Sequence, residues 1–192
     1  MASRQLEVIT GCMFSGKTDE LIRRLERVRI SGRLVLLFKP TIDDRSSERL
    51  IATHYGRKFD AYPIEPGQET VANLTAIVGE KLLSSTDVIA FDEGNFFSDK
   101  LPELCQELVS MGKRVIVAGL DLTYDEEPFG PMGSLMSLAD RVDKLQAVCV
   151  KCGGVATRSQ RIIPGTKRII TGGTDKYEAR CRNCYEKTGA SP

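Results

Sequence analysis

Residues 11–18 constrain the fold and the function of this chain more than any other segment. They read Gly-Cys-Met-Phe-Ser-Gly-Lys-Thr and so fit the phosphate-loop pattern G-x-x-x-x-G-K-[ST]. An apolar run at residues 6–9 precedes them, and apolar residues at helical spacing follow. Bare matches to this pattern arise by chance. A match placed between a strand and an amphipathic helix, however, predicts binding of a nucleoside triphosphate.

A loop of this kind holds phosphate mainly through its backbone. Its N–H groups wrap the polyphosphate, Lys17 reaches the β and γ oxygens, and Thr18 holds Mg²⁺. The helix that begins near Lys17 directs the positive end of its dipole at the same anion. Cys12 could be reactive there, but we interpret it as a small residue that fits a tight turn. The predicted nucleotide-binding residues of the loop are Gly11, Cys12, Met13, Phe14, Ser15, Gly16, Lys17 and Thr18.

Strands and helices are expected to alternate along the first part of the chain. Short apolar runs that suit strands buried on both faces occupy residues 6–10, 34–39, 88–92 and 115–120. This alternation predicts an α/β fold of the P-loop (RecA-like) type, with a parallel sheet and flanking helices. One apolar helical stripe comprises Leu21, Ile22, Leu25 and Val28, with Gly32 as the stop. A second comprises Leu101, Leu104, Cys105, Leu108 and Met111, with Ser98 as the N-cap.

Composition limits the partners of the chain. Its 192 residues carry 27 Lys and Arg against 26 Asp and Glu, so no net field attracts nucleic acid or a membrane surface. No apolar run is long enough to cross a bilayer, and the first residues lack the apolar region of a signal peptide. We therefore expect a soluble, cytosolic protein with no nucleic-acid or membrane partner. Arg23, Arg24, Arg27 and Arg29 are interpreted as a solvated or subunit-facing side of a helix.

Four cysteines predict a metal site in the last part of the chain. Cys149 and Cys152 form one C-x-x-C pair, and Cys181 and Cys184 form another. Two such pairs suit a closed tetrahedral zinc site with a structural role. The alternatives are a redox C-x-x-C motif or unrelated cysteines of the core. The surrounding segment has too few apolar residues for a core of its own. We expect a P-loop domain over residues 1–148 and a small zinc-ribbon domain over residues 149–192.

An acidic pair follows the third predicted strand. Asp92 ends that strand, where a carboxylate is expected near the Mg²⁺ of a phosphate loop. Glu93 comes next, at the edge of the sheet where α/β proteins bind ligands, and it could accept a proton from a hydroxyl or from water. The alternative is an ordinary acidic turn after a strand.

Taken together, these motifs resemble the zinc-containing thymidine kinases over nearly the whole chain. The resemblance rests on the phosphate loop with Met13-Phe14-Ser15, on Asp92-Glu93-Gly94-Asn95-Phe96-Phe97, on residues 115–121, on Pro128-Phe129-Gly130, on the two cysteine pairs, and on Gly172-Gly-x-Asp-x-Tyr177. It implies transfer of the γ-phosphoryl group of ATP to the 5′-hydroxyl of thymidine, and secondarily of deoxyuridine. It also implies a homotetramer that is inhibited by thymidine triphosphate.

The resemblance assigns roles to particular residues. Glu93 matches the catalytic base, and Asp43, Arg45, Asp92, Gly94 and Asn95 match further positions of the nucleotide site. Met13, Phe96, Leu120, Tyr124, Phe129, Ser159, Arg168, Ile169, Ile170, Thr171, Gly172 and Tyr177 match positions around the thymidine pocket. The segment between the cysteine pairs resembles a loop, the lasso, that covers the substrate. The implied cofactors are ATP, Mg²⁺ and structural zinc.

The sequence departs from the family pattern at a few positions. Asn95 stands where glutamine is usual, Ser159 stands where threonine is usual, and Arg168 and Thr171 replace apolar residues. None of these changes removes a charge needed for phosphoryl transfer. His54, the only histidine, is given no role.

Two other functional classes are weighed against the kinase interpretation. A zinc-ribbon ATPase acting on nucleic acid would explain the phosphate loop and the cysteines, but it predicts a strongly basic face and a longer chain. A zinc-stabilised interaction module leaves the phosphate loop unexplained. Charge balance and motif context favour the kinase.

Overall fold

The structure is a computed structural model that describes residues 4–41, 50–52, 58–164, 170 and 172–187. Several predicted site residues lie outside the described residues, namely Asp43, Arg45, Arg168, Ile169 and Thr171, as does His54. No helix in the described part of the chain is both long enough and apolar enough to cross a bilayer.

A parallel sheet organises the described part of the chain. Its six strands lie in the order β5-β2-β6-β7-β1-β8, and all the pairings are parallel. The four predicted strands are confirmed to within about a residue at each end, while the edge strands β5 and β8 were not predicted. The strands are β1 (Gln5–Gly11), β2 (Val35–Pro40), β5 (Tyr62–Ile64), β6 (Val88–Phe91), β7 (Arg114–Gly119) and β8 (Arg141–Leu145), and a separate antiparallel pair joins β3 (Leu50–Ala52) to β4 (Lys58–Asp60).

Helices cover both faces of this sheet. Alternate residues of one strand therefore enter different cores: Val8 of β1 packs with α2, α3, α4 and α5, whereas Ile9 packs with α1. The predicted α/β class is confirmed. The helices are α1 (Lys17–Ile30), α2 (Val71–Val78), α3 (Glu80–Ser85), α4 (Leu101–Ser110) and α5 (Met132–Leu138).

Both predicted helices form. The predicted stop of α1 is confirmed, whereas the predicted N-cap of α4 is wrong. Gly32 follows α1 with φ +76° and donates to the Arg29 carbonyl, as a stop residue should. Ser98, in contrast, is not the N-cap of α4. The cap position is Lys100, and the Ser98 hydroxyl donates to Glu69 at 2.7 Å. Glu69 also accepts the Ser98 N–H, and the Ser98 oxygen accepts the Lys100 N–H at 3.3 Å, so Ser98 is held two residues before the cap position.

The arginines of α1 are not all on a solvated face. Arg23 is exposed, but Arg24 is buried and forms ion pairs with Glu7 at 2.6 Å and with Asp143 at 2.7 Å. A buried guanidinium is stable when carboxylates neutralise it and accept its N–H groups. Arg24 therefore ties α1 to β1 and β8, which corrects the prediction of a uniformly exposed side.

Two short antiparallel pairs make up the last described part of the chain. They pair β9 (Ala147–Val148) with β10 (Val155–Ala156), and β11 (Arg158–Arg161) with β12 (Tyr177–Arg180). Cys12 packs against this part, in a cluster with Cys149, Ala156 and Ala179. Its thiol lies 3.5 Å from the Ala156 carbonyl, which fits a small buried residue in a tight turn.

Candidate functional site

The phosphate loop connects β1 to α1 and depends on glycine at both ends. Gly11 has φ +141°, and a Cβ there would lie 2.3 Å from the Leu145 carbonyl oxygen. Gly16, with φ +80°, stands immediately before α1. Side chains generally disfavour such angles, so the loop needs glycine at these positions. In this structure the Lys17 ammonium donates to the Cys12 carbonyl at 2.8 Å.

Asp92 and Thr18 meet at the carboxyl edge of the sheet. They follow β6 and β1, which β7 separates, yet the Thr18 hydroxyl donates to Asp92 Oδ2 at 3.2 Å. Burial, and then repulsion from Glu93, raises the pKa of Asp92 to about 7. Burial also lowers the pKa of Lys17, against the attraction of the nearby carboxylates. Hydroxyl and carboxylate oxygens are ligands that Mg²⁺ prefers, so the pair suits that ion.

Glu93 has a strained backbone. Its φ of +53° lies in the left-handed region, where residues other than glycine are uncommon, and it precedes a single 3-10 turn, Gly94–Phe96. A Cβ on Gly94 would lie 2.6 Å from the Val117 side chain, so the turn packs directly on β7. Strain of this kind costs about 1–3 kcal/mol and tends to occur at functional positions.

One cavity brings the predicted phosphate and nucleoside residues together. It encloses about 1020 Å³, including its open mouth, and is lined by Met13, Phe14, Gly16, Lys17, Thr18, Asp19, Asp92, Glu93, Phe96, Gly119, Leu120, Leu122, Thr123, Tyr124, Phe129, Ser159, Ile170, Gly172 and Tyr177. Every described residue that we predicted around thymidine is in this lining. Of the predicted nucleotide residues, Gly11, Cys12, Ser15, Gly94 and Asn95 are outside it.

Aromatic side chains form one wall of the cavity. The Phe96 and Phe129 rings meet edge to face, 5.3 Å apart. The Arg161 guanidinium lies 4.6 Å from the centre of the Tyr124 ring. Buried Asn95 supports this wall from behind, because its Oδ1 accepts the Leu120 N–H at 2.9 Å. These rings suit the flat faces of a nucleobase.

A second wall comes from the last part of the chain. The Ser159 hydroxyl of β11 accepts the Met13 N–H at 3.0 Å, which joins the phosphate loop to that wall. The Tyr177 hydroxyl donates to the Ile170 carbonyl at 2.8 Å. Gly172 also lines the cavity, so described residues of the predicted lasso contribute to this wall.

The four predicted metal-binding cysteines converge. Their sulfur atoms all lie within 4.8 Å of one another, and those of Cys152 and Cys181 are 3.7 Å apart. Zn–S bonds of about 2.3 Å in a tetrahedron set sulfurs roughly 3.8 Å apart, so the cluster fits zinc. Hydrogen bonds from backbone N–H groups, chiefly that of Cys181, lower the pKa of Cys149 to about 6, whereas hydrogen bonds with Cys181 and Cys152 raise that of Cys184 to about 12. A metal requires all four as thiolates, so its binding would release the protons that the cluster holds. The remaining ligands are Cys149 and Cys184.

Comparison with known proteins identifies the family. A family model described as thymidine kinase matches residues 4–185. A thymidine kinase from Halobacterium salinarum is 45% identical over 94% of this chain and 93% of its own length. One from Chloroflexus aurantiacus is 47% identical over 95% and 94%, and one from Haloquadratum walsbyi is 40% identical over 94% and 94%.

The chain belongs to the thymidine kinase family. The family resemblance predicted from its motifs is therefore confirmed. Membership also makes the chain an enzyme of the kinase class.

This thymidine kinase family member has cavity residues that the sequence did not single out. Asp19, Gly119, Leu122 and Thr123 line the cavity, and all but Asp19 lie at or just beyond the carboxyl end of β7. In α/β proteins, ligands bind at the carboxyl ends of the strands. We applied this rule to the residues after β6, and the same rule applied to β7 would have indicated Gly119, Leu122 and Thr123. Asp19 is in the first turn of α1. The one sequence signal for it as a cavity residue is its position directly after the phosphate loop.

Proposed function

We propose that this chain transfers the γ-phosphoryl group of ATP to the 5′-hydroxyl of thymidine, with deoxyuridine as a secondary substrate. One observation carries the proposal. A single cavity joins a phosphate loop and the Asp92–Glu93 pair to a wall of aromatic rings, and described residues of the predicted lasso also line it. A phosphoryl donor and a flat nucleoside base can therefore occupy the same space. Family membership supports the same reaction.

The phosphate end of the site positions the donor. The loop backbone and the N-terminus of α1 bind the ATP phosphates, and the Lys17 ammonium leaves the Cys12 carbonyl to contact the β and γ oxygens. Thr18 and Asp92 are the residues that would hold Mg²⁺, directly or through water, and the ion would supply positive charge at the phosphate oxygens. Phosphoryl transfer depends largely on such positioning and charge stabilisation.

Glu93 is the proposed general base. It lines the same cavity as the phosphate loop and the aromatic residues. Its carboxylate accepts the proton of the 5′-hydroxyl as that oxygen attacks the γ-phosphorus. The packing of the following turn on β7 holds the left-handed backbone that places Glu93 there.

The aromatic wall and the lasso select the nucleoside. Phe96, Phe129 and Tyr124 contact the faces and edges of the base, while main-chain groups near Ile170 and Gly172 hydrogen-bond its polar edge. Fixed buried donors and acceptors discriminate strongly against a base with the wrong pattern, whereas a missing methyl group costs only about 1–3 kcal/mol. Thymidine and deoxyuridine should therefore be accepted and cytosine and purine nucleosides rejected.

The cysteine cluster has a structural part in this proposal. Zinc bound by the four thiolates would have no open position for a reactive water, so its role would be structural. It would stabilise residues 149–192 in the arrangement in which they pack on the P-loop part, residues 1–148. Those residues supply Ser159 and Tyr177 to the cavity. The metal therefore acts on substrate binding through structure alone.

Three parts of the proposal rest on the family resemblance. Asp43 and Arg45 act beside the phosphates, the chain assembles as a homotetramer, and thymidine triphosphate inhibits it as an end product. The inhibitor would combine the two halves of the cavity, with its base at the aromatic wall and its phosphates at the loop.

The test is transfer of labelled γ-phosphate from ATP to each natural deoxynucleoside in the presence of Mg²⁺, with each product identified. We expect the order thymidine, then deoxyuridine, with deoxycytidine far behind and both purine nucleosides inert. Lys17→Met is the control, because it removes the ammonium without shortening the side chain much.

Transfer that persists in the Lys17→Met preparation would come from a contaminating kinase. A preference for deoxycytidine or for a purine nucleoside would overturn the assignment of the pocket while leaving a kinase. ATP hydrolysis that single-stranded DNA stimulates and thymidine does not would favour the nucleic-acid ATPase instead.

A further inference from the structure

The residue after the last zinc cysteine reaches across to the aromatic wall of the cavity. Tyr185 follows Cys184, and its hydroxyl donates a hydrogen bond to the backbone carbonyl of Tyr124. Tyr124 belongs to the segment of residues 121–129, the 121–129 loop, which follows β7 and carries Phe129. A contact between residues so far apart in sequence links the metal knuckle to the nucleoside wall.

Tyr185 is itself held in a fixed position. Its N–H donates to the Cys181 carbonyl at 2.9 Å, inside the knuckle. The next residue, Glu186, is held by the buried amide of Gln160, which accepts the Glu186 N–H at 2.8 Å and donates to its carbonyl at 2.9 Å. Hydrogen bonds therefore fix the backbone at Tyr185 itself and at the next residue, and this fixes the point from which the Tyr185 ring extends.

The 121–129 loop needs external support at its tip. Its base is closed by internal hydrogen bonds, from the Thr123 N–H to the Glu127 carbonyl at 2.9 Å and from the Phe129 N–H to the Asp121 carbonyl at 3.0 Å. The tip includes Glu126 in the left-handed region, with φ +66°. Backbone of this kind keeps its shape only when its surroundings impose it.

The last part of the chain supplies that support through three contacts. Arg161 lies over the Tyr124 ring, and Arg158 forms an ion pair with Glu126 at 2.5 Å. The Tyr185 hydroxyl makes the third contact, the one that reaches the loop backbone directly.

We propose that Tyr185 is a positioning residue: its hydroxyl holds the Tyr124 segment of the 121–129 loop in the shape that receives the nucleoside base. This inference rests on the proposed function, since it assigns the loop to the base. Loss of the hydroxyl leaves a partly buried carbonyl without its donor, and the loop relaxes to recover a partner. The partner of the Tyr185 hydroxyl is on the 121–129 loop, so we expect its loss to act on nucleoside binding and to leave ATP binding little changed.

The test is Tyr185→Phe in the full-length, zinc-loaded chain. We expect the Kd for thymidine to rise about three- to tenfold, the range set by loss of one such hydrogen bond, while the Kd for ATP stays within about twofold. Hydrogen exchange of residues 121–129 should become faster in the variant without nucleoside. Tyr62→Phe on β5, where the ring packs beside Phe38, is the matched control and should change none of these quantities.

The outcomes separate this proposal from the proposed function. If the wild-type chain does not bind thymidine at all, the proposed function fails and this assignment fails with it. If the wild type binds thymidine and Tyr185→Phe binds it equally well, only the present proposal is overturned. Equal weakening of ATP and thymidine binding would also overturn it, because that pattern indicates general destabilisation.

Discussion

Asp92→Asn should make the ligand-free chain more stable while impairing its chemistry. Asp92 is buried beside Glu93, and together these raise its pKa to about 7, against a value of 3.8 for an ordinary aspartate. The folded chain thus keeps a proton on Asp92 that the unfolded chain has released. The free energy of unfolding therefore falls as pH rises from about 4 to about 7. Asparagine has no such proton to lose.

The size of the effect follows from the same values. The difference in proton affinity corresponds to roughly 4 kcal/mol at about 1.4 kcal/mol per tenfold change. The pKa of about 7 already includes the attraction between Asp92 and Lys17. Asparagine places an amide group where the second carboxylate oxygen was, and a buried amide without a good partner costs about 1–3 kcal/mol, which offsets part of this gain. It can still accept from the Glu93 N–H, now 3.0 Å from the carboxylate. We expect a net stabilisation of about 2 kcal/mol at pH 8, or roughly 4–8 °C in Tm for a chain of this size.

The assay is urea unfolding of both proteins at pH 5 and pH 8, without Mg²⁺ or nucleotide and without a chelator. The stability difference should be about 2 kcal/mol at pH 8 and about 2–3 kcal/mol lower at pH 5, because folded Asp92 takes up its proton below about pH 7 while unfolded Asp92 is ionised at both pH values. Asp99→Asn, at an exposed position nearby, is the control and should stay within about 0.5 kcal/mol of wild type at both pH values. With substrates and Mg²⁺, Asp92→Asn should lower kcat about 10–100-fold.

The reasoning is refuted by a variant that is less stable than wild type at pH 8. A stability difference of equal size at pH 5 and pH 8 would refute it as well, because the gain would then have nothing to do with titration of Asp92.

Three further substitutions test the base and the metal. Glu93→Gln keeps the size and hydrogen bonding of the side chain but cannot take up a proton, so kcat should fall by about 10²–10⁴ with ATP binding little changed. Metal analysis of the wild type should return about one zinc per chain, and Cys152→Ser or Cys184→Ser should weaken thymidine binding while ATP binding survives. Near-normal turnover of folded Glu93→Gln would move the base elsewhere. Four freely titratable thiols in native, metal-free protein would exclude the zinc site.

Local patterns predicted much of this protein because their causes are local. The glycines of the phosphate loop are required by backbone angles at single residues, and Gly11 and Gly16 have the angles that the pattern demands. The two cysteine pairs are short enough for each to form a knuckle by itself. The apolar runs matched β1, β2, β6 and β7, since strands buried on both faces must be apolar throughout.

Local patterns failed where a distant partner competed. The pattern around Ser98 fits an N-cap, but Glu69 accepts its hydroxyl. Arg24 resembles its exposed neighbour Arg23, yet Glu7 and Asp143 draw it into the protein. Both outcomes depend on which carboxylate the fold places beside the side chain. Helix propensity contains no information about such tertiary contacts.

The sequence by itself determined the chemical groups of the candidate site: a phosphate loop, an acidic pair after a strand, aromatic residues and four thiols. Only the tertiary structure decided that these groups surround one cavity, that Thr18 meets Asp92 across an intervening strand, and that Tyr185 reaches Tyr124. The physical reason is that distances between such residues depend on strand order and on the packing of the last part of the chain. Those are collective properties of the folded molecule, and no single segment carries them.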